Sequence, residues 1–190
     1  MKAAVLFPGI GYTCEKPLLY YAAKVALAAG YEVIRVPYGG FPAGVKGDER
    51  KMRDCFLSAV AQSEALLRDV DWTSFGEIVF IGKSIGTAAA SCYAGRHELP
   101  VRSVLLTPVA ETFGYTAGEA VAYHGTADPW AKTEEIRKRC EEQRIRLIEV
   151  PGANHSLETG DPERNLETLA AVMRSVRQFL DPARAQGGNG

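Results

Sequence analysis

Short apolar runs rich in β-branched residues alternate along this chain with longer stretches whose apolar positions recur every three or four residues. The runs at 3–7, 32–37, 77–81, 102–107, 120–124 and 146–150 predict six strands. Most are nearly continuous in apolar residues, as suits parallel strands covered on both faces. Between them lie helical patterns. Residues 17–29 read as a helix, with Pro17 suited to its first turn and Gly30 to its stop. From about 50 to 70, Met52, Phe56, Val60 and Leu67 recur at helical spacing. The last helix opens on Asp161-Pro162, a cap followed by a first-turn proline, and aligns Leu166, Leu169, Met173, Val176 and Leu180 on one face. Strand and helix in alternation imply right-handed crossovers and a mostly parallel sheet of about six strands, an α/β three-layer sandwich.

Length adds a bound: 190 residues suit one domain. Residues 1–181 are expected to form it, with 182–190 a tail lacking apolar periodicity and expected to be disordered. Lys and Arg total 22 against 23 Asp and Glu, a formal net charge of -1. That balance argues against nucleic acid or an anionic membrane surface as the main partner, and no apolar run approaches the length of a membrane helix. A small-molecule substrate is the expected partner. Cys14, Cys55, Cys92 and Cys140 lie far apart and form no C-x-x-C pair, so reduced thiols in a cytoplasmic protein are expected rather than a metal site.

The chemistry gathers at three places. Gly82-Lys83-Ser84-Ile85-Gly86 is G-x-S-x-G between a strand and a helix. A nucleophile on so sharp a turn needs small residues two positions before and after it, and the following helix N-terminus favours developing negative charge. His124-Gly-Thr-Ala-Asp128-Pro129 puts an acid just beyond a strand, and Pro151-Gly-Ala-Asn-His155 does the same for a histidine. Strand ends of an open parallel sheet converge on a ligand crevice. Ser84, Asp128 and His155 are therefore candidate nucleophile, orienting acid and base. Asp128 also suits an Asx turn before Pro129. His124 reads as a packing residue, His97 as a surface one and Lys83 as a solvated or salt-bridged lysine. Tyr12, Tyr38, Phe41, Phe113, Tyr115 and Trp130 fall near loops at the strand ends and are candidates for an apolar substrate pocket.

With these three motifs in the order Ser, Asp, His, the sequence resembles a compact, cap-less member of the α/β-hydrolase superfamily, similar to dienelactone-hydrolase-like proteins. The resemblance spans nearly the whole chain. It implies sheet order 2-1-3-4-5-6 and a chain starting at what would be the family's third strand. The longest insertion, 108–118, is too short for a helical lid. It further implies a serine hydrolase working through an acyl-enzyme on a small to medium ester, thioester or lactone. The oxyanion would rest on the backbone N–H groups of Ile85 and Ile10, the latter in Pro8-Gly9-Ile10, where the family's histidine is replaced by proline, with Gly11 the nearby alternative to Ile10. Nucleophile, base and donors all come from the chain, so no metal or organic cofactor is expected. A peptidase or amidase on the same residues, and a non-catalytic binding module of the same fold, are the competing readings.

Overall fold

A computed structural model describes residues 1–45 and 47–182; of the expected tail, 183–190 lie outside the described residues. Six parallel strands form one sheet: β1 (Lys2–Phe7), β2 (Glu32–Arg35), β3 (Glu77–Lys83), β4 (Val101–Leu106), β5 (Ala120–Gly125) and β6 (Arg146–Val150). Their order across the sheet is β2-β1-β3-β4-β5-β6. The chain thus starts near the middle, winds to one edge through β2, returns, and runs to the other edge. The four inner strands are almost wholly buried, whereas β2 and β6, at the edges, are only partly covered.

Among the described residues five helices cover the two faces: α1 (Pro17–Ala28), α2 (Glu49–Leu67), α3 (Ile85–Arg96), α4 (Thr133–Glu142) and α5 (Pro162–Leu180). The period-2 alternation of the strands sorts the core. Leu6, Val79, Ile81, Val104 and Tyr123 pack under α1 and α5. Val5, Phe7, Ile78 and Phe80 meet α2 and α3, and Leu105 and Ala122 meet α4.

The ends of the elements shift by up to three residues from the sequence reading, and α4 is an addition. Its sequence, TEEIRKRCEE, buries only Ile136 and Cys140, one turn apart, too few apolar positions to announce a helix. Between β4 and β5 stands a single 3-10 turn, Ala110–Gly114. All four cysteines are buried free thiols.

Candidate active site

Ser84 sits between β3 and α3 with φ 57 and ψ -127, off every region ordinary for an L-residue. Its flanking glycines make that turn possible. A Cβ on Gly82 would lie 2.6 Å from Thr87 Cα, and one on Gly86 would lie 2.2 Å from Phe7 O and 2.4 Å from Pro8 O. All three obstacles are backbone, so neither position has room for alanine. The turn is pinned on either side: the Ser84 N–H donates to Leu106 O at 2.9 Å, and the Ser84 carbonyl accepts from the Thr87 N–H and, at 2.6 Å, from its hydroxyl.

The β5 and β6 loops bring the other two groups to the serine. Their contact is close because residue 125 is glycine; a Cβ there would stand 2.3 Å from Ala153 O and 2.5 Å from Asn154 O. The loops are further stitched by Ala127 N–H to Ala153 O at 2.9 Å and Gly152 N–H to Thr126 Oγ1 at 2.8 Å. His155 rides on a small closed turn in which Asn154 Oδ1 accepts from the N–H groups of Ser156 and Glu158. Leu157, at φ 58, drops into the core and anchors it.

In the assembled site His155 Nε2 is 2.7 Å from Ser84 Oγ, and His155 Nδ1 is 2.7 Å from Asp128 Oδ2. For the serine hydroxyl to donate to Nε2, the neutral ring carries its proton on Nδ1 and donates it to the carboxylate. Asp128 also makes the Asx turn, its Oδ1 accepting from the Trp130 N–H at 2.8 Å, so one carboxylate serves its own loop and contacts the His155 ring. The Trp130 ring stacks on His155, centroids 5.4 Å apart and 24° from parallel.

Electrostatics follow from the burial. Burial pushes His155 below the ordinary histidine value, against the pull of the Asp128 carboxylate. Burial alone would raise the Asp128 carboxyl, but hydrogen bonds from His155 and the Trp130 N–H, with the charges of His155 and His124, hold it below the usual value. His124 is fully buried, its Nε2 3.0 Å from Thr133 Oγ1 and its Nδ1 3.9 Å from Asp128 Oδ2. It backs the carboxylate rather than reaching the serine.

Ile85 is the first residue of α3, so its N–H has no acceptor within the helix. Ile10 lies in a tight turn closed by Gly9 N–H to Tyr12 O at 3.0 Å and Tyr12 N–H to Gly9 O at 3.2 Å, with Gly11 at φ 66. Beside the serine opens a cavity of about 840 Å³. Ile85 and Ala88 line one wall, and Pro129 and Trp130 another. The wall that sequence reasoning missed comes from Val45 and α2, through Met52, Phe56 and Leu57. The amphipathic face of α2 was legible, but not which half of it overhangs the strand ends. Tyr115 closes this side, its ring stacked on Phe56 at 5.5 Å. Asp48, Glu49, Arg53 and Glu111 add charge to the lining.

Of the aromatic pocket candidates, Trp130 and Tyr115 line the cavity and Tyr12, Tyr38 and Phe113 do not. Each is buried elsewhere. The Tyr12 hydroxyl accepts from the Leu18 N–H at 3.0 Å, the Tyr38 hydroxyl donates to Pro8 O at 2.7 Å, and Phe113 packs with Ile136 against α4. The two phenols therefore brace the loop after β1 from behind. Phe41 packs edge-on to Tyr38. Lys83 departs from expectation as well: it is 2 % exposed and, among the described residues, has no salt-bridge partner, with its ammonium 4.9 Å from the centroid of the Tyr12 ring. Burial lowers its pKa to about 7. His97, at the surface, meets Glu64 at 2.7 Å.

Among the described residues no group of three His, Cys, Asp or Glu side chains is arranged to hold a metal ion, and no helix is long and apolar enough to cross a membrane. No protein-family model and no curated protein matches the chain. Solved structures do. Est1E from Butyrivibrio proteoclasticus with ferulic acid bound is 12 % identical, covering 97 % of this chain and 90 % of its own, at TM-score 0.71. An α/β serine hydrolase homologue from Coxiella burnetii is 19 % identical, covering 92 % and 84 %, at 0.67. A serine hydrolase without a lid, from Xanthomonas campestris, is 14 % identical, covering 95 % and 81 %, at 0.61. With such low identity the likeness is one of architecture: the chain has the α/β-hydrolase fold.

Proposed function

We propose that this protein is a serine hydrolase acting through an acyl-enzyme on a small to medium carboxylic ester, thioester or lactone. The observation that carries this reading is the unbroken chain of two 2.7 Å contacts from Ser84 Oγ through His155 to Asp128. Ser84 Oγ attacks the carbonyl carbon while its proton passes to His155 Nε2. Asp128 holds the ring in the Nδ1–H form and stabilises its charge. The oxyanion is held by the N–H groups of Ile85 and Ile10. Collapse breaks the bond to the leaving oxygen or sulfur, which takes the proton from Nε2. Water then attacks the acyl carbon, giving its proton to His155, and release of the acid returns Ser84 to the hydroxyl form.

The cavity supports the substrate class. At about 840 Å³, with Met52, Phe56, Tyr115 and Trp130 in its walls, it offers flat and aliphatic surface for one side of the scissile bond. Ferulic acid, the molecule bound to Est1E, is an aromatic acid of a size such a cavity accommodates. Intact-mass labelling with a fluorophosphonate tests the reading. Ser84 Oγ bonds to phosphorus as the P–F bond breaks, fluoride leaves and His155 takes the proton. One adduct on wild type and none on a folded Ser84→Ala variant is the expected result. An unlabelled, folded wild type would overturn it.

A further inference from the structure

Lys83 is a buried cation that the triad does not use, and its surroundings tie it to the loop after β1. Strand alternation turns it to the same face as Val79 and Ile81, under α1 rather than toward the cavity. Its stem runs against Gly9: a Cβ on that glycine would be 3.3 Å from Lys83 Cδ, 3.1 Å from Lys83 O and 3.2 Å from Ser84 Cβ. Beyond the stem, the ammonium faces the Tyr12 ring at 4.9 Å. Among the described residues no carboxylate forms an ion pair with it; Asp128 and Glu158 favour its charge through space, and Lys16 opposes it. Tyr12 in turn closes the turn with Gly9 and accepts from the first turn of α1 through Leu18. One side chain thus touches both ends of a four-residue turn whose second residue is Ile10.

We propose that Lys83 is a positioning residue, clamping Tyr12 from beneath and so fixing the turn that presents the Ile10 N–H. This rests on the hydrolase reading for its catalytic consequence, but the clamp itself is a property of the fold. A cation desolvated against an aromatic face is a strong contact, and methionine in its place keeps the stem while removing the attraction. The charge also acts through space on His155: burial lowers that pKa most, the charges of Lys83 and His124 lower it further, and Asp128 raises it. Its loss therefore moves the proton balance of the base as well as the loop.

The test combines Lys83→Met, Tyr12→Leu and the double variant, with Tyr12→Phe retaining the ring. Lys83→Met should cut the maximal rate of phosphonylation at least tenfold while the half-saturating fluorophosphonate concentration stays within twofold. Its acid midpoint should rise toward the ordinary histidine value. The double variant should be no slower than the slower single one, and Lys83→Met in the Tyr12→Phe background should keep its full effect. Hydrogen exchange at the Tyr12 N–H should accelerate at least tenfold in Lys83→Met and stay unchanged in Ser84→Ala. Wild-type exchange in Lys83→Met, or additive losses in the double variant, would overturn the clamp. If wild type takes no phosphonate, the hydrolase reading fails, and the exchange rates alone decide the clamp.

Discussion

The Trp130 N–H and the His155 ring divide the two oxygens of Asp128 between them, at 2.8 Å on Oδ1 and 2.7 Å on Oδ2. The carboxylate is therefore part of its own loop before it is a partner to the histidine. Asp128→Asn keeps an oxygen for the Trp130 N–H but loses the negative charge and the acceptor that selects the Nδ1–H form. Phosphonylation and ester turnover should fall by roughly three to four orders of magnitude, as removing such a charge does in comparable triads. The melting temperature should stay within a few degrees. A large loss of stability with little loss of rate would show that the turn, not the triad, is what Asp128 serves.

On the proposed mechanism His155 must be neutral to take the serine proton, and burial holds its folded-state pKa below the ordinary 6.5. Rate should therefore rise with pH through a midpoint below that value. Trp130→Ala strips the stacked ring from His155 and lets water in, which weakens the main depressing influence. Its midpoint should move up toward 6.5, while Asp128→Asn removes a raising influence and should move it down. A pH profile of phosphonylation for the three proteins checks both signs; shifts in the same direction would contradict this account.

How much of this was legible in the sequence depends on whether direction or only type was needed. Apolar runs and helical spacing carry the sheet because parallel strands must be covered on both faces. Gly82, Gly86 and Gly125 mark places where backbones nearly touch. Aromatic residues near strand ends were a poorer guide, since nothing in their spacing says which way a loop side chain turns. Tyr12 and Tyr38 turn inward because each hydroxyl finds a backbone partner there. Lys83 was readable in principle: it shares the parity of Val79 and Ile81, whose face is fully covered by helices. A lysine's charge argued for solvent, and the strand's alternation prevailed. The α2 wall was hidden because helical spacing shows which face of α2 is apolar but not which part of that face overhangs the strand ends.

Two glycines in α3 should respond in opposite ways. Gly86→Ala would put a Cβ against the carbonyl oxygens of Phe7 and Pro8, atoms that cannot yield without moving β1. Such overpacking against backbone should cost about 3–5 kcal/mol, a fall of roughly 6–20 °C in Tm for a chain of this size. Gly95, in the same helix, has nothing within 4 Å of its would-be Cβ. Gly95→Ala should stabilise by about 0.5–1 kcal/mol through helix propensity alone. Thermal melts of the two variants against wild type check the contrast, and equal responses would mean the close approach at Gly86 is not rigid.

Lys83 should also cost stability. Its folded-state pKa is near 7, lowered by burial, against about 10.4 for an unfolded lysine. Between those values the unfolded chain binds a proton that the folded one does not, so this group makes stability rise with pH from about 7 to about 10. Below about 7 both states are protonated and the penalty for the buried charge is felt in full. Lys83→Met removes it. The variant should be more stable than wild type by on the order of 3 kcal/mol at pH 6, and the gap should close steadily toward pH 10. Tyr12 and Cys14 also titrate in the alkaline range, so the difference between the two proteins is the quantity to follow. Urea unfolding of both at pH 6, 8 and 10 measures it. A constant gap would place the ammonium in contact with water, whereas a shrinking one, together with slower phosphonylation, would identify a residue retained for the loop at the expense of the fold.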